Sequence, residues 1–278
     1  MLEDILLSDL CDRRVCEVCV CVCGCVLVCV CVFLRVCVCW GVLLIVFHPS
    51  TSYRKLVGML IWLYKTRPDM LFTINLLARH LHNATKAHFD IARSRPLRYL
   101  SGTKTHGLVF CPGDVQGFEL DGSAEADLAG DLATSRSTLG FYSKVGDYGP
   151  VSYNCALERK VATSTQQAET YACASMVKDT IWLRQLAHEL GCTQGKPTPQ
   201  FTDNRGVYLQ STKQVNHAAA KHFRISQVFI RNTSDNGVIR IEKVDTSLNG
   251  ADIFTKALAK DSFTRHRLAI MGPQECPR

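Results

Sequence analysis

The stretch that decides the fold spans residues 117–131 and reads Gly-Phe-Glu-Leu-Asp-Gly-Ser-Ala-Glu-Ala-Asp-Leu-Ala-Gly-Asp. Apolar or small side chains alternate with polar ones from Phe118 to Glu125, and a period of two predicts a β-strand with two different faces. The polar face carries the carboxylate of Glu125, and Asp127 shares that face if the strand continues. We therefore expect a strand that presents acidic groups on one side of a sheet.

Three further acids follow in order along the chain, each inside a short motif. They lie in Gln167-Ala168-Glu169, in Thr202-Asp203-Asn204 and in Ala251-Asp252-Ile253-Phe254-Thr255-Lys256. Carboxylates that converge in space can hold two divalent cations about 3.5–4 Å apart, and such a pair can drive phosphodiester hydrolysis. Mg²⁺ suits these hard oxygen ligands, with Mn²⁺ as an alternative. The series predicts a nuclease.

Each acid also has a plainer structural explanation. Glu125 would be part of a solvated acidic turn, and Glu169 would be an acid near a helix start that the helix dipole stabilises. Asp203 and Asp252 would each cap the start of a helix. The motifs around the four acids favour the functional interpretation.

The regions around the acids predict both helices and strands. Ser164 followed by Gln167 has the form of a capping box, and it opens a long amphipathic helix that runs to Leu190, with Gly191 as its C-cap. A buried strand is expected at 199–204 and a last strand at 238–244. This is a mixed α/β pattern.

Residues 53–104 predict a basic helical region. Apolar residues recur every three or four positions from Tyr53 to Leu81, with a break at Pro68. Thr85 would cap a third helix that continues through Arg98, and Pro96 should kink this helix or end it early. The basic residues here predict either a solvated helix face or a surface that follows phosphates.

Charge and cysteines divide the chain into two parts. The chain of 278 residues has a formal charge of +7, but residues 1–52 hold three Arg against five acids. The remainder holds 29 basic and 20 acidic residues, which favours a polyanionic partner such as nucleic acid, or else simply gives a basic soluble surface. Ten of the fifteen Cys lie between Cys11 and Cys39, and the five later ones fit a reducing compartment. We therefore expect an intracellular location for residues 53–272.

Residues 1–52 form a Cys/Val-rich hydrophobic segment of low complexity. A translated TG dinucleotide repeat gives the same alternation of Cys and Val, so the segment can be a gene-model artefact. As real protein it has three interpretations: a membrane span, a signal peptide, or a metal site of the C-x-C type. Glu3, Asp4 and Asp9 oppose a signal peptide, and the spacing opposes zinc. Membrane association is expected only if residues 15–47 are expressed.

Three motifs of the helical region resemble the Pol polyprotein of copia-type LTR retrotransposons. They are Tyr53-Arg54-Lys55-Leu56-Val57-Gly58, Thr66-Arg67-Pro68-Asp69 and Leu97-Arg98-Tyr99-Leu100-Ser101-Gly102-Thr103. In that family they follow the catalytic region of the reverse transcriptase. The Tyr-x-Asp-Asp signature of the polymerase site is absent from the sequence, so polymerase activity is not implied. The resemblance implies a thumb or connection remnant at 53–104.

The resemblance continues to about Gly272 and implies a ribonuclease H-like domain at 105–272, a five-stranded mixed sheet with flanking helices. Residues 119–131 align with the family's first-acid motif, in which Glu125 is normally Asp and Leu128 normally Trp. Residues 135–141 match as the opening of a second strand, with residues 151–153 as the third. Residues 273–278 are expected to be a tail.

The resemblance also implies a substrate and a mechanism. Glu125, Glu169, Asp203 and Asp252 would hold two Mg²⁺ and hydrolyse the RNA strand of an RNA–DNA hybrid, one ion activating water and the other stabilising the leaving 3′ oxygen. The motif His217-Ala218-Ala219-Ala220-Lys221-His222 and its surroundings imply contacts to the nucleic-acid backbone, made by Lys221, Arg224 and Arg231. The parent polyprotein's reverse transcriptase core would be a partner.

The extra methylene of Glu125 leaves two alternatives open. A carboxylate shifted by 1 Å can cost about a hundredfold in rate. The chain is therefore either an enzyme, impaired to some degree, or a catalytically decayed remnant that at most binds nucleic acid.

Overall fold

The computed structural model describes residues 52–110, 119–146, 148–212 and 223–272. The predictions for residues 1–51 and 273–278, and those for His217, Lys221 and His222, fall outside this part of the chain. None of the helices within the described ranges is both long and apolar enough to cross a membrane.

The helical region contains three α-helices. Helix α1 spans Tyr53–Leu63, a short 3₁₀ turn spans Pro68–Met70, α2 spans Leu71–Ala78 and α3 spans Lys86–Gly102. The side chain of Thr85 caps α3 by accepting a hydrogen bond from the amide of His88, as expected.

Helix α3 runs through Pro96 to Gly102, so the predicted early end does not occur. Pro96 is buried along with Ala92 and Leu100, one turn to either side. This packing on one helix face offsets the hydrogen bond that proline cannot donate, since tertiary contacts supply most helical stability in proteins.

Five strands form one mixed sheet. They are β1 at Leu120–Asp131, β2 at Arg136–Val145, β3 at Pro150–Leu157, β4 at Thr198–Thr202 and β5 at Ile239–Lys243. The order across the sheet is β3-β2-β1-β4-β5. Strands β1, β2 and β3 pair antiparallel, whereas β4 pairs parallel with both β1 and β5. The predicted five-stranded mixed sheet with flanking helices is confirmed.

Four helices and two short 3₁₀ turns accompany the sheet in the described part of this domain. Helix α4 spans Thr165–Glu189, α5 Arg205–Thr212, α6 Arg224–Asp235 and α7 Lys260–Met271, and the turns span Thr246–Leu248 and Gly250–Phe254. Helix α4 packs on β1 and β2. It buries small side chains, Ala168 and Ala172 among them, against Ala124 and Ala126 of β1. The small residues let the helix lie close to the sheet.

The helical region is joined to the sheet domain by polar and apolar contacts. The Asn75 side chain donates to the carbonyl of Cys155 on β3 at 2.9 Å. Arg79 donates to Asp131 at 3.1 Å and to Thr138 at 3.0 Å, at the ends of β1 and β2. Leu71 shares a buried cluster with residues of β3 and α7. Helix α2 therefore packs against part of the edge strand β3 and contacts one end of β1 and β2.

Candidate metal centre

Glu125 lies within β1 and is almost fully buried, at 5% exposure. The Asn249 side chain donates to Glu125 Oε2 at 2.9 Å and to the carbonyl of Ala124 at 3.2 Å. Ser123 donates in turn to Asn249 Oδ1 at 2.5 Å. These bonds hold the Glu125 carboxylate in one orientation.

Glu169 projects from the start of α4. The Ser164 side chain caps this helix by accepting from the amide of Gln167 at 3.2 Å, as predicted. The reciprocal half of the capping box is not formed as expected, because Gln167 Oε1 accepts instead from the amide and hydroxyl of Thr163. Glu169 is the fifth residue of the helix, so it lies beyond the first turn and the plainer explanation of a first-turn acid does not apply.

Asp203 follows the carboxyl end of β4. The parallel register pairs Ser123 of β1 with Phe201 of β4, so Glu125 and Asp203 each lie two residues further along neighbouring strands. The cap of α5 is Asn204, whose Oδ1 accepts from two amides of the first turn at 2.9 and 3.1 Å. The helix therefore does not need Asp203 as its cap, which leaves that carboxylate for other contacts.

Carboxylate oxygens of Glu125, Glu169 and Asp203 lie within 4.8 Å of one another. Glu169 is 4% exposed, and its Oε2 is buried without a hydrogen-bond partner in the described part of the chain. A buried carboxylate oxygen with no donor is costly unless a cation is present. The three side chains form what we call the acid triad.

Asp252 comes close to the acid triad through the turn Gly250–Phe254, which packs on β2. Gly140 pairs with Glu125 across β1 and β2. A Cβ atom at Gly140 would lie 2.7 Å from Phe254 Cβ and 2.8 Å from Thr255 Cγ2, so only glycine allows this approach. Asn249 caps the turn by accepting from the amide of Ala251 at 3.2 Å.

A lysine connects Asp252 to Glu125. Nζ of Lys256 lies 2.8 Å from Asp252 Oδ1 and 3.4 Å from Glu125 Oε1. Asp252 is 6% exposed, so both acids of this contact are buried. The structure thus brings all four predicted acids into one region, three as the acid triad and the fourth through Lys256.

Burial and mutual repulsion raise the pKa of Glu125 and Glu169. The pKa of Glu125 is raised first by burial and then by the charges of Asp203 and Asp252, while Lys256 acts in the opposite direction. The pKa of Glu169 is raised by burial and then by the charges of Glu125 and Asp203. Without a cation, the site favours keeping protons on these carboxyls.

The donor set of the acid triad fits a hard divalent cation. It offers carboxylate oxygens that lie close together; Glu125 and Glu169 are buried, and one oxygen of Glu169 has no hydrogen-bond donor among the described residues. Such oxygens favour Mg²⁺, Mn²⁺ or Ca²⁺ over the metals that prefer nitrogen or sulfur. Binding a cation would replace the lost hydration of the acids and remove their repulsion.

Sequence reasoning did not give a role to Asn249 or Lys256. Both flank Asp252 in the sequence, and both contact Glu125, more than a hundred residues earlier. The available signal was their position, because Lys256 ends the motif around Asp252 and Asn249 lies two residues before that motif. Of the predicted nucleic-acid contacts, Arg224 and Arg231 lie on α6, two turns apart, and their role stays a prediction.

Comparisons with known proteins identify the family. No family model matches the chain. The chain is 33% identical over 229 residues to the Retrovirus-related Pol polyprotein from transposon RE2 of Arabidopsis thaliana, and 32% identical over 215 residues to that from transposon TNT 1-94 of Nicotiana tabacum. The chain belongs to the copia-type retrovirus-related Pol polyproteins.

The match covers most of this chain and a small part of its relatives. It extends over 81% and 77% of the chain, but over only 16% of each relative's own length. Among solved structures, the RNase H1 of the archaeon Halobacterium salinarum NRC-1 is 17% identical, with a TM-score of 0.38, and the match covers 49% of this chain and 94% of that one.

Proposed function

We propose that residues 105–272 act as a ribonuclease H that hydrolyses the RNA strand of RNA–DNA hybrids. Glu125, Glu169, Asp203 and Asp252 would hold two Mg²⁺ ions. The observation that carries this proposal is the acid triad, whose oxygens lie within 4.8 Å of one another and include a buried one with no donor among the residues that the structure describes. Membership of the Pol polyproteins supports the same assignment.

The ions and the side chains of the site would have different roles. When bound, the two ions would activate a water molecule and stabilise charge on the leaving 3′ oxygen. Asn249 holds the carboxylate of Glu125 by a 2.9 Å hydrogen bond, so this ligand stays oriented. The burial of Glu125 and Glu169 lowers the local dielectric and strengthens their attraction for a cation.

Recognition of the hybrid would rest on its shape, its 2′-hydroxyls and its phosphates rather than on base edges. Arg224 and Arg231 on α6 are the proposed phosphate contacts, together with Lys221. Arg224 is exposed and Arg231 is partly exposed, as a residue that contacts a phosphate backbone must be. In the parent polyprotein the substrate would come from the reverse transcriptase core.

The test is cleavage of a labelled RNA–DNA hybrid by the full chain, with Mg²⁺ and with EDTA. We expect Mg²⁺-dependent cuts in the RNA strand that Asp203→Asn reduces at least about a hundredfold, since several kcal/mol of charge stabilisation would be lost. Asp235→Asn is the matched control, the same substitution at an exposed position on α6. Cleavage that survives Asp203→Asn would contradict the site assignment.

A decayed remnant that only binds nucleic acid is the second candidate. Glu125 stands where the family normally has Asp, and both of its oxygens already have partners, Asn249 and Lys256. Hybrid binding without cleavage by the wild-type chain, unchanged by Glu125→Asp, would favour this candidate.

A further inference from the structure

Lys256 lies between two buried carboxylates. Its Nζ atom is 2.8 Å from Asp252 Oδ1 and 3.4 Å from Glu125 Oε1. The side chains of the two acids are 8% and 7% exposed, whereas that of Lys256 is 34% exposed. A partly exposed lysine therefore places one positive charge between two buried acids.

Among the described residues, no lysine or arginine lies within ion-pair distance of Glu169 or Asp203. Glu169 Oε2 is buried without a hydrogen-bond partner in the described ranges, and Asp203 joins the same group within 4.8 Å. Glu125 and Asp252 therefore share the single positive charge of Lys256, whereas Glu169 and Asp203 have no ion-pair partner in the described part of the chain. A divalent ion bound beside Glu125 and Asp252 would therefore lie next to the charge of Lys256, whereas one bound beside Glu169 and Asp203 would lie farther from it.

We propose that Lys256 is a built-in counter-cation that competes with the second divalent ion for the Glu125–Asp252 position. The first ion binds at the acid triad, and the second binds only when the ammonium group of Lys256 withdraws. The reason is electrostatic, because an ammonium group and a divalent cation a few ångströms apart repel each other strongly at low dielectric. This inference deepens the proposed function and rests on it.

The structure gives Lys256 room to withdraw. Its side chain borders a cavity of about 400 Å³ between the helical region and the segment that follows Asp252. Helices α2 and α3 form one wall of this cavity, and Leu258 and Phe263 form part of the other. Because the Lys256 side chain is 34% exposed, it can turn from the acids toward solvent without unpacking the sheet.

The experiment measures ion binding rather than catalysis. Mg²⁺ is titrated into the full wild-type chain by calorimetry, and Mn²⁺ is counted by electron paramagnetic resonance. We expect two unequal classes of site in the wild type. In Lys256→Met the weaker site should tighten at least about tenfold, because removing a charge at this distance changes binding by well over one decade. Lys256→Arg, which keeps the charge, should behave as wild type.

The outcomes separate this inference from the proposed function. Equal affinity for two ions in the wild type would overturn it, and so would a second site that neither Lys256→Met nor Lys256→Gln tightens. The circular dichroism spectrum shows whether each variant is folded. If one of the two variants does not fold, the ion binding of the other decides the test. If the ions bind as predicted but the hybrid is not cut, then the proposed function fails and the competition by Lys256 stands.

Discussion

Replacing Glu169 by Gln should stabilise the metal-free protein, although the same change would remove a proposed metal ligand. Glu169 is 4% exposed and has one oxygen without a donor in the described part of the chain. Gln keeps the shape of the side chain and removes its charge. The acid triad would then lose its most deeply buried source of repulsion.

The size of the effect follows from the distances. Two unit charges 4.8 Å apart repel by about 3 kcal/mol at an effective dielectric constant of 20. Wild-type protein avoids part of this repulsion by keeping protons on the raised-pKa carboxyls. We therefore expect a net gain of about 1–3 kcal/mol in the free energy of unfolding, or roughly 2–10 °C in Tm.

The gain should depend on pH in a defined direction. The pKa of Glu169 in the folded protein is raised above its ordinary value of 4.5. Below pH 4.5 both the folded and the unfolded states hold the proton, and the contribution of this group is fully present. As pH rises through the folded pKa, the unfolded state has already released its proton, so the free energy of unfolding falls. Glu169→Gln should flatten this decline.

The assay is thermal unfolding in EDTA, from pH 5 to pH 9, followed by circular dichroism. Glu189→Gln is the control, because Glu189 lies on the same helix and is exposed. Mg²⁺ should raise the Tm of the wild type and leave Glu169→Gln nearly unchanged. A Glu169→Gln protein that is no more stable than wild type in EDTA at pH 8 would refute the electrostatic account of the site.

Three further predictions concern a buried ion pair, a helix cap and the first acid. Arg67→Met should cost about 3–5 kcal/mol in urea unfolding, because Asp69 would keep a buried charge after losing its 2.8 Å partner; a loss below 1 kcal/mol would contradict this. Ser164→Ala should cost about 1 kcal/mol through the lost cap to the Gln167 amide, measured in the same way, whereas an unchanged midpoint would show that the cap contributes nothing. Glu125→Asp should raise hybrid cleavage about tenfold to a hundredfold in single-turnover assays, and a drop in rate would show that the longer side chain suits this site.

Features encoded by neighbouring residues could be predicted from the sequence. The alternation along 118–125 identified β1, and the caps Thr85 and Ser164 marked the starts of α3 and α4, because each depends on residues a few positions apart. The mixed sheet was predicted through the family resemblance rather than through spacing alone.

Features that depend on contacts between distant residues could not be predicted from the sequence. Helix α3 continues through Pro96 because that residue packs into the helical core, which no local rule records. Asn204 rather than Asp203 caps α5, and the two residues are equally good caps by type. The approach of Lys256 to Glu125 joins positions 131 residues apart and depends on the turn that rests on Gly140.

The docking of α2 bears on how this chain can be divided. The predicted boundary at residue 104 would separate the two regions, but Asn75 and Arg79 bond to groups on β1, β2 and β3. A fragment that starts at residue 105 would expose the edge strand β3 to water and to other chains, as an unprotected template for aggregation. The helical region therefore covers part of the sheet. If a truncated protein proves inactive or insoluble, the result would not show whether the carboxylates can bind metal ions or catalyse hydrolysis.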